Sequence, residues 1–587
     1  MVERPSVVDV TIEDLVVTAS TLPAILACRV TLLQIEKNRI AMRNVRSMWP
    51  AVWVSGLEMR IVHNWLGMQR MTVSRNGAAS DSEWLPVTVT GDLATEANLL
   101  GVNLSSFAAK VPVHPGGIQI AGPSRDVFVV ENEIDQAGRN GITLGSLSIL
   151  DANGNDSGQV TGVTIIEEGP CDTTITLHVP GSRPGQPGEK IVASGKLVNV
   201  QIDRNRIRDC GLCGIGPVGF FDMAQNLEVI SIENLTISAN TISATVLGTL
   251  GAFGQRSSFG YAAICVPDVE NLILRDNSIT DFGPQPGAQA CGVFILHGQM
   301  VEISRNHVLE ARDWNLASSD EVQSSGALRG GIVVLLASPP TFSTPASFYT
   351  SLASVTASQT PVYVPGLPAL RVEHNVVRVP LGEALAVVGF GPYSIVNNHL
   401  GCGGKVKAAG RPLAETVLIF NLGTALEVAG KAGTFSALGQ GKSDFSGNVK
   451  RALGSPGGAV VFTNNICELE ARASGRHCFA SNVIFSLDDL IFANNLCWLD
   501  GPGKTATLDA FLLAGSLQVT GNRFQEAPGF PVFASGLTIG ALNITTQNVS
   551  TYCLFAKGTL QPPIDTNNLV AASSLQLCSE IARRLNL

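Results

Sequence analysis

Charge is scarce in this 587-residue chain. Asp, Glu, Lys and Arg make up only 15% of it, and the balance is acidic, with a formal net charge of −9 at pH 7. A surface that grips phosphate backbones needs a basic stripe, so this balance argues against nucleic acid as a partner. No run approaches the ~18 apolar residues that cross a bilayer, which argues against membrane insertion. The N-terminus, MVERPSVVDVTIEDL, lacks a basic segment followed by an apolar one, so no secretory signal is legible and the compartment stays open. Aromatics are few, at 6%. The 12 Cys form no compact framework and leave the redox environment undecided.

What the chain has is glycine, 60 of them, a positive mean hydropathy of +0.24, and a repeat. One phrase (apolar, any, any, Asn, any, apolar) recurs with its Asn at Asn38, Asn64, Asn132, Asn205, Asn240, Asn277, Asn306, Asn375, Asn398, Asn465, Asn495 and Asn522. The interval is 23 residues at its shortest, between Asn375 and Asn398, and 67 to 73 residues at four places. The longer intervals read as single units with inserted loops. A second signature, Gly followed by an aliphatic pair, precedes many of these asparagines, as in Gly117-Ile118-Gln119-Ile120, Gly141-Ile142-Thr143-Leu144 and Gly331-Ile332-Val333-Val334. Repeats of this length stack on one another, so chain length does not count domains here.

Alternation such as Val200-Gln201-Ile202 marks a short strand with one buried face, and the Asn marks a corner. Asparagine tolerates left-handed backbone and bonds neighbouring backbone groups through its amide. When every coil turns at the same place, these amides lie about one strand spacing apart, ~4.8 Å, and can bond along the axis. The predicted fold is therefore all-β: a parallel β-solenoid with an internal Asn ladder.

These residues resemble the right-handed parallel β-helix, or pectin-lyase-like, superfamily, including its carbohydrate-binding and sugar-hydrolase repeat branch. The resemblance covers nearly the whole chain and implies a right-handed single-stranded parallel β-helix. The Gly-aliphatic segment would be the first strand of each coil, the segment leading to Asn the second, and the residues after Asn the third. About 13 coils at ~4.8 Å each would extend roughly 60 Å. The expected body is 1–570, with insertions at about 67–115, 146–194 (a β-hairpin arm), 338–368 and 401–457. Residues 571–587, with Leu577, Ile581 and Leu585 on one face, read as a C-terminal capping helix. No comparable cap precedes Val7, which points to truncation, a missing N-terminal region or a partner.

Few residues carry chemistry. The ladder asparagines are structural corner posts, and Cys467 and Cys497 stack inside the core. Cys210-Gly211-Leu212-Cys213 has the spacing of a redox or zinc motif, but no second such pair exists and a turn explains it. Asp151, Asn153 and Asn155 begin like a calcium loop, yet Asp156 stands where that loop needs Gly and Gly162 supplies no carboxylate; no cofactor is expected, and calcium is the one cation with a candidate motif. In the resembling enzymes the groove lies on the first sheet. Its outward positions here are Gln119, Thr143, Gly216, Cys265, Phe294, Val333 and Ala386, none a usual acid, base or ligand. Phe294 and Val333 mark instead a face that an inserted loop or another chain covers, and they are the candidate binding residues. Just beyond that strand, Asp222, Asp268, Glu270 and His297 are the candidates for catalysis, since carboxylates on adjacent coils repel and leave an acid beside a base. A further outward stripe holds Arg39, His63, Trp65, Arg204, Arg206, Arg305, His307, His374 and His399, mixed with Glu131 and Glu133.

The function expected from the sequence is a non-catalytic scaffold or binding module that recognises an extended polymer (polysaccharide) or a protein partner through its loop-bearing side. The alternative is a polysaccharide lyase, glycoside hydrolase or epimerase. A spike or fibre component of a phage-like assembly, as a homo-oligomer, is the third reading.

Overall fold

A computed structural model describes residues 7–20, 22–43, 49–68, 116–150, 156–160, 162–168, 172–178, 190–194, 196–218, 231–247, 262–283, 290–311, 329–340, 367–403, 415–421, 426–428, 449–451, 458–470, 478–500, 506–525, 534–538, 542–544 and 553–557. Every element among them is a β-strand. The chain divides into two compact units, residues 1–294 and 295–587. The expected capping helix at 571–587 and most of the residues in three insertions (67–115, 338–368 and 401–457) lie outside the described residues.

In the first unit, three rows of inward side chains run through parallel strands in unbroken register. Val52, Ile118, Ile142, Ile215 and Ile264 follow one another on the first strand. Ile35, Ile61, Val129, Ile202, Ile237 and Leu274 do so on the second, and Ile40, Leu66, Ile134, Ile207, Ile242 and Ile279 on the third. All of these are buried. These second- and third-strand residues stand three before and two after each asparagine, so the sequence phrase is the footprint of the core. The architecture is a parallel β-solenoid.

The second unit repeats the scheme. Ile303, Val372, Ile395, Phe462, Phe492 and Val519 form its second-strand row, and Val308, Val377, Leu400, Cys467 and Cys497 its third. The Phe462 and Phe492 rings stack with centroids 5.4 Å apart and planes 2° apart, the direct result of in-register parallel strands. Cys467 and Cys497 are both inside. The Gly-aliphatic signature also acquires a cause: a Cβ at Gly117 would run into the Gly141 carbonyl of the next coil, and one at Gly331 into that of Ala384. Within 146–194, the segments Gly162–Glu168 and Asp172–His178 pair antiparallel.

The asparagine amides are bonded in both units. Asn205 is representative: its backbone N–H and its Nδ2 both donate to Oδ1 of Asn240, at 2.9 and 3.0 Å. Its Nδ2 also donates to the Val129 carbonyl (2.8 Å) in the preceding coil, and its Oδ1 accepts from Asn132. The chain of such bonds runs Asn38, Asn64, Asn132, Asn205, Asn240, Asn277 in one unit. In the other it runs Asn306, Asn375, Asn398, Asn465, Asn495, Asn522. In the first coil Leu15 occupies the corner, and only its backbone N–H reaches Asn38 Oδ1, at 3.1 Å.

One expectation is corrected. The left-handed backbone belongs to the residue before each asparagine: Lys37, His63, Glu131, Arg204, Ala239, Asp276, Arg305, His374, Asn397, Asn464 and Asn494 all have φ between 52° and 59°. Asparagine is therefore selected for its amide, which must donate and accept at once, and its neighbour absorbs the turn.

Two substitutions separate these roles. Asn240→Ala should cost about 2–4 kcal/mol in chemical denaturation, because it strands buried partners worth ~1–3 kcal/mol each. Ala239→Gly, at an exposed position with φ 53°, should instead stabilise by about 0.5–1 kcal/mol, since a Cβ is strained there. A neutral Asn240→Ala would remove the amide row from the account of stability.

Candidate functional site

The first-sheet outer face is closed by the chain itself. Trp53 pairs with Gln119, Gln119 with Thr143, and Thr143 with Gly216, and Trp53, Gln119, Thr143, Cys265 and Phe294 are all buried. In the second unit Val333 pairs with Ala386 and Val483 with Phe511, all four buried. Phe294 and Val333, 1% and 0% exposed, are thus interior residues and offer no surface to a ligand.

Asp222 lies outside the described residues, as do Asp151, Asn153 and Asn155. His297 is buried in the second unit, with Nε2 3.2 Å from Ser338 Oγ. Asp268 and Glu270 belong to the first unit, Asp268 buried and Glu270 half-buried. Among the described residues no cluster of three or more His, Cys, Asp or Glu is arranged to hold a metal ion.

Glu270 does acquire a carboxylate neighbour on the adjacent coil, but it is Glu233, its register partner. Partial burial pushes the Glu270 carboxyl above the usual glutamate range, and the charges of Glu233 and then Asp268 add to the shift, against Lys196. Lys196 Nζ lies 3.5 Å from Glu233 Oε2. The two glutamates therefore sit in unequal surroundings, one beside an ammonium and one desolvated.

This pair borders an exposed surface on the second sheet of the first unit. Beside it runs a second amide row: Asn199 Nδ2 donates to Asp126 Oδ1 (2.7 Å), Asn234 Nδ2 to Asn199 Oδ1 (3.0 Å), and Asn271 Nδ2 to Asn234 Oδ1 (2.9 Å). All four residues have left-handed backbone, with φ from 54° to 62°. The next outward row holds Gln34, Arg60, Phe128, Gln201 and Thr236. Phe128 is 36% exposed, and the Arg60 guanidinium lies 5.8 Å from its ring centroid. An aromatic plate beside amides at one-strand intervals can stack an apolar ring face and bond hydroxyl or carbonyl groups along one direction.

This surface escaped the sequence reading, although it left a signal. Asn199, Asn234 and Asn271 each stand six positions before a ladder asparagine, at 205, 240 and 277. The stripe that was noticed is an ionic edge. Glu131 takes His63 Nδ1 at 3.1 Å and Arg204 Nε at 2.6 Å, Arg208 forks onto Asp135 with two contacts of 3.0 Å, and Arg39 covers the Trp65 ring at 4.7 Å. In the second unit Glu468 binds Arg378 at 3.1 Å and His399 at 3.2 Å.

The sequence matches no protein-family model and no curated protein. Among solved structures the chain is similar to the Dettilon tailspike protein gp208, at a TM-score of 0.31 and 11% identity, over 92% of this chain and 63% of that one. It is similar also to the receptor-binding protein of bacteriophage Det7, described as a podoviral tailspike in a myovirus (TM-score 0.31, 8% identity, 95% of this chain and 74% of that one). A third is the DFA-IIIase from Arthrobacter chlorophenolicus A6 (TM-score 0.18, 9% identity, 90% and 80%). The chain thus spans less than two thirds of the first of these. At these scores the likenesses carry no argument, and the parallel β-solenoid rests on the register of the coils described above. Among the described residues no helix is long and apolar enough to cross a membrane.

The unequal glutamates make a pH-dependent prediction. A carboxyl whose folded pKa is raised is destabilising once ionised, so stability it contributes below ~4.3, the unfolded glutamate value, is lost as pH rises through the folded pKa. Glu270→Gln should therefore be the more stable protein at pH 7. The difference should close as pH falls below 4, as followed by thermal unfolding across that range. A Gln variant less stable at pH 7 would refute the assignment of repulsion at this position.

Proposed function

We propose that the chain is a non-catalytic β-solenoid module that binds an extended polysaccharide along the second-sheet face of its first unit. The observation that carries this reading is the hydrogen-bonded row Asp126, Asn199, Asn234 and Asn271, half-buried to exposed, beside Phe128 and Arg60. A row of amides at successive coils offers bonds at ~4.8 Å intervals, a spacing comparable with the advance of an extended sugar chain. The aromatic ring supplies the flat surface on which a sugar ring stacks. This places recognition on a face other than the loop-bearing first sheet, where the outward side chains are buried.

Glycoside hydrolysis is the second reading, favoured by Glu233 and Glu270 on adjacent coils. Two carboxyls flanking one glycosidic bond are what that chemistry requires. Under this reading the desolvated Glu270 donates the proton and Glu233, beside Lys196, is the second carboxyl.

A panel of neutral and acidic polysaccharides, titrated calorimetrically, distinguishes the two. Phe128→Ala should weaken the best ligand about tenfold, or ~1.4 kcal/mol, with no reducing ends released. Release of reducing ends that disappears in Glu270→Gln would replace the binding module by the hydrolase. Retained affinity in Phe128→Ala would remove this face from either reading.

A further inference from the structure

We infer that Cys213 and Cys265 are a disulfide-competent pair that can staple two neighbouring strands of the first unit, and that the Cys210–Cys213 spacing conspicuous in the sequence is not the pairing the fold prepares. Ile215 pairs with Ile264, which sets Gly216 beside Cys265 on the outward side of the first sheet. Cys213 turns back over that glycine. A Cβ added to Gly216 would lie 2.6 Å from Cys213 Cβ and 2.8 Å from its Sγ, so the space a side chain would fill is taken by the Cys213 thiol. The backbone N–H of Cys213 is held by Asn140 Oδ1 at 3.1 Å, and Asn140 Nδ2 in turn donates to the Pro217 carbonyl at 2.8 Å. These bonds fix the turn that aims the sulfur.

Two thiols result, one on each of two adjacent coils, buried and hydrogen-bonded to each other. That bond, together with burial, holds the Cys265 thiol well above its usual range, so it stays protonated and the pair persists as thiols until an oxidant and a local opening coincide. Cys210 faces elsewhere: its Sγ lies 3.9 Å from the Arg208 carbonyl and beside Gly141.

A small disulfide oxidant supplies the chemistry. One cysteine thiolate attacks oxidised glutathione, expels one reduced glutathione and retains the other as a mixed disulfide. The second thiolate displaces it. The S–S bond of the oxidant is exchanged for one between the coils, the two cysteines lose two electrons, and their two protons end on the two glutathione thiols released.

The test uses the full chain, incubated with oxidised glutathione at denaturant concentrations just below the unfolding transition, then alkylated, digested and mapped by mass spectrometry. A Cys213–Cys265 linkage is expected in the natural sequence and in Cys210→Ser, and its loss is expected in Cys265→Ser. Oxidation should raise the unfolding midpoint of the natural sequence and leave that of Cys265→Ser unmoved. Where Cys265→Ser fails to fold, Cys210→Ser carries the decision alone. A Cys210–Cys213 or Cys265–Cys291 linkage in place of the expected one overturns the inference, and so does full alkylation of Cys213 and Cys265 after exchange.

Discussion

The bond from one asparagine amide to the next is the constraint on which the rest depends. A solenoid coil must turn its corners without stranding backbone groups, since a buried orphan costs ~1–3 kcal/mol. At the Asn205 corner a single side chain meets that demand for two coils. Its oxygen takes both the N–H and the Nδ2 of Asn132, and its own nitrogen reaches Val129 below and Asn240 above. No shorter or charged side chain can donate and accept on both sides, and glutamine would overreach the spacing. Because the same length of side chain is demanded in every coil, register is fixed everywhere at once. The apolar rows from Ile35 to Leu274 and from Ile303 to Val519 then fall into line as a consequence.

Fixing the corner on the asparagine displaces the backbone strain to its neighbour. The left-handed conformation at His63, Arg204 and His374 explains why the residues flanking the amide row are long, polar and exposed: such a position turns its side chain outward, where the charge is solvated. His63, Glu131 and Arg204 of the ionic edge sit at these outward positions. Exposed pairs of this kind add little stability, ~0–1 kcal/mol, so their presence follows from where the turns fall.

The fold was legible in the sequence because its constraint repeats. Twelve asparagines at fixed offset from apolar residues report the core directly, and Gly117 and Gly331 report the close approach of the next coil. Phe294 and Val333 alternate outward and are covered, as the apolar character of that face implied, so it is their candidacy as binding residues that fails. What sequence could not supply was the register between coils. Asp268 and Glu270 stand just beyond the first strand, and burial, then Glu233, then Asp268 raise the Glu270 carboxyl; the part of Glu233 is revealed only by the register of adjacent coils. The turn expected at Cys210-Gly211-Leu212-Cys213 is held by Asn140.

The second amide row poses the sharper question of whether it reflects backbone need or a surface of its own. Left-handed backbone occurs at the equivalent corner in every coil of the first unit that has been traced: Asp9, Leu32, Glu58, Asp126, Asn199, Asn234 and Asn271. Leu32 and Glu58 meet the same conformational demand without an amide, so the backbone does not dictate asparagine there. Yet four consecutive coils carry Asp or Asn, bonded one to the next, with the Arg60–Phe128 row on one side of the corner and the Glu233–Glu270 pair on the other. A corner requirement would spread asparagine evenly along the unit. Its concentration beside an exposed aromatic and two unequal carboxyls is what a surface shaped for an elongated ligand would show.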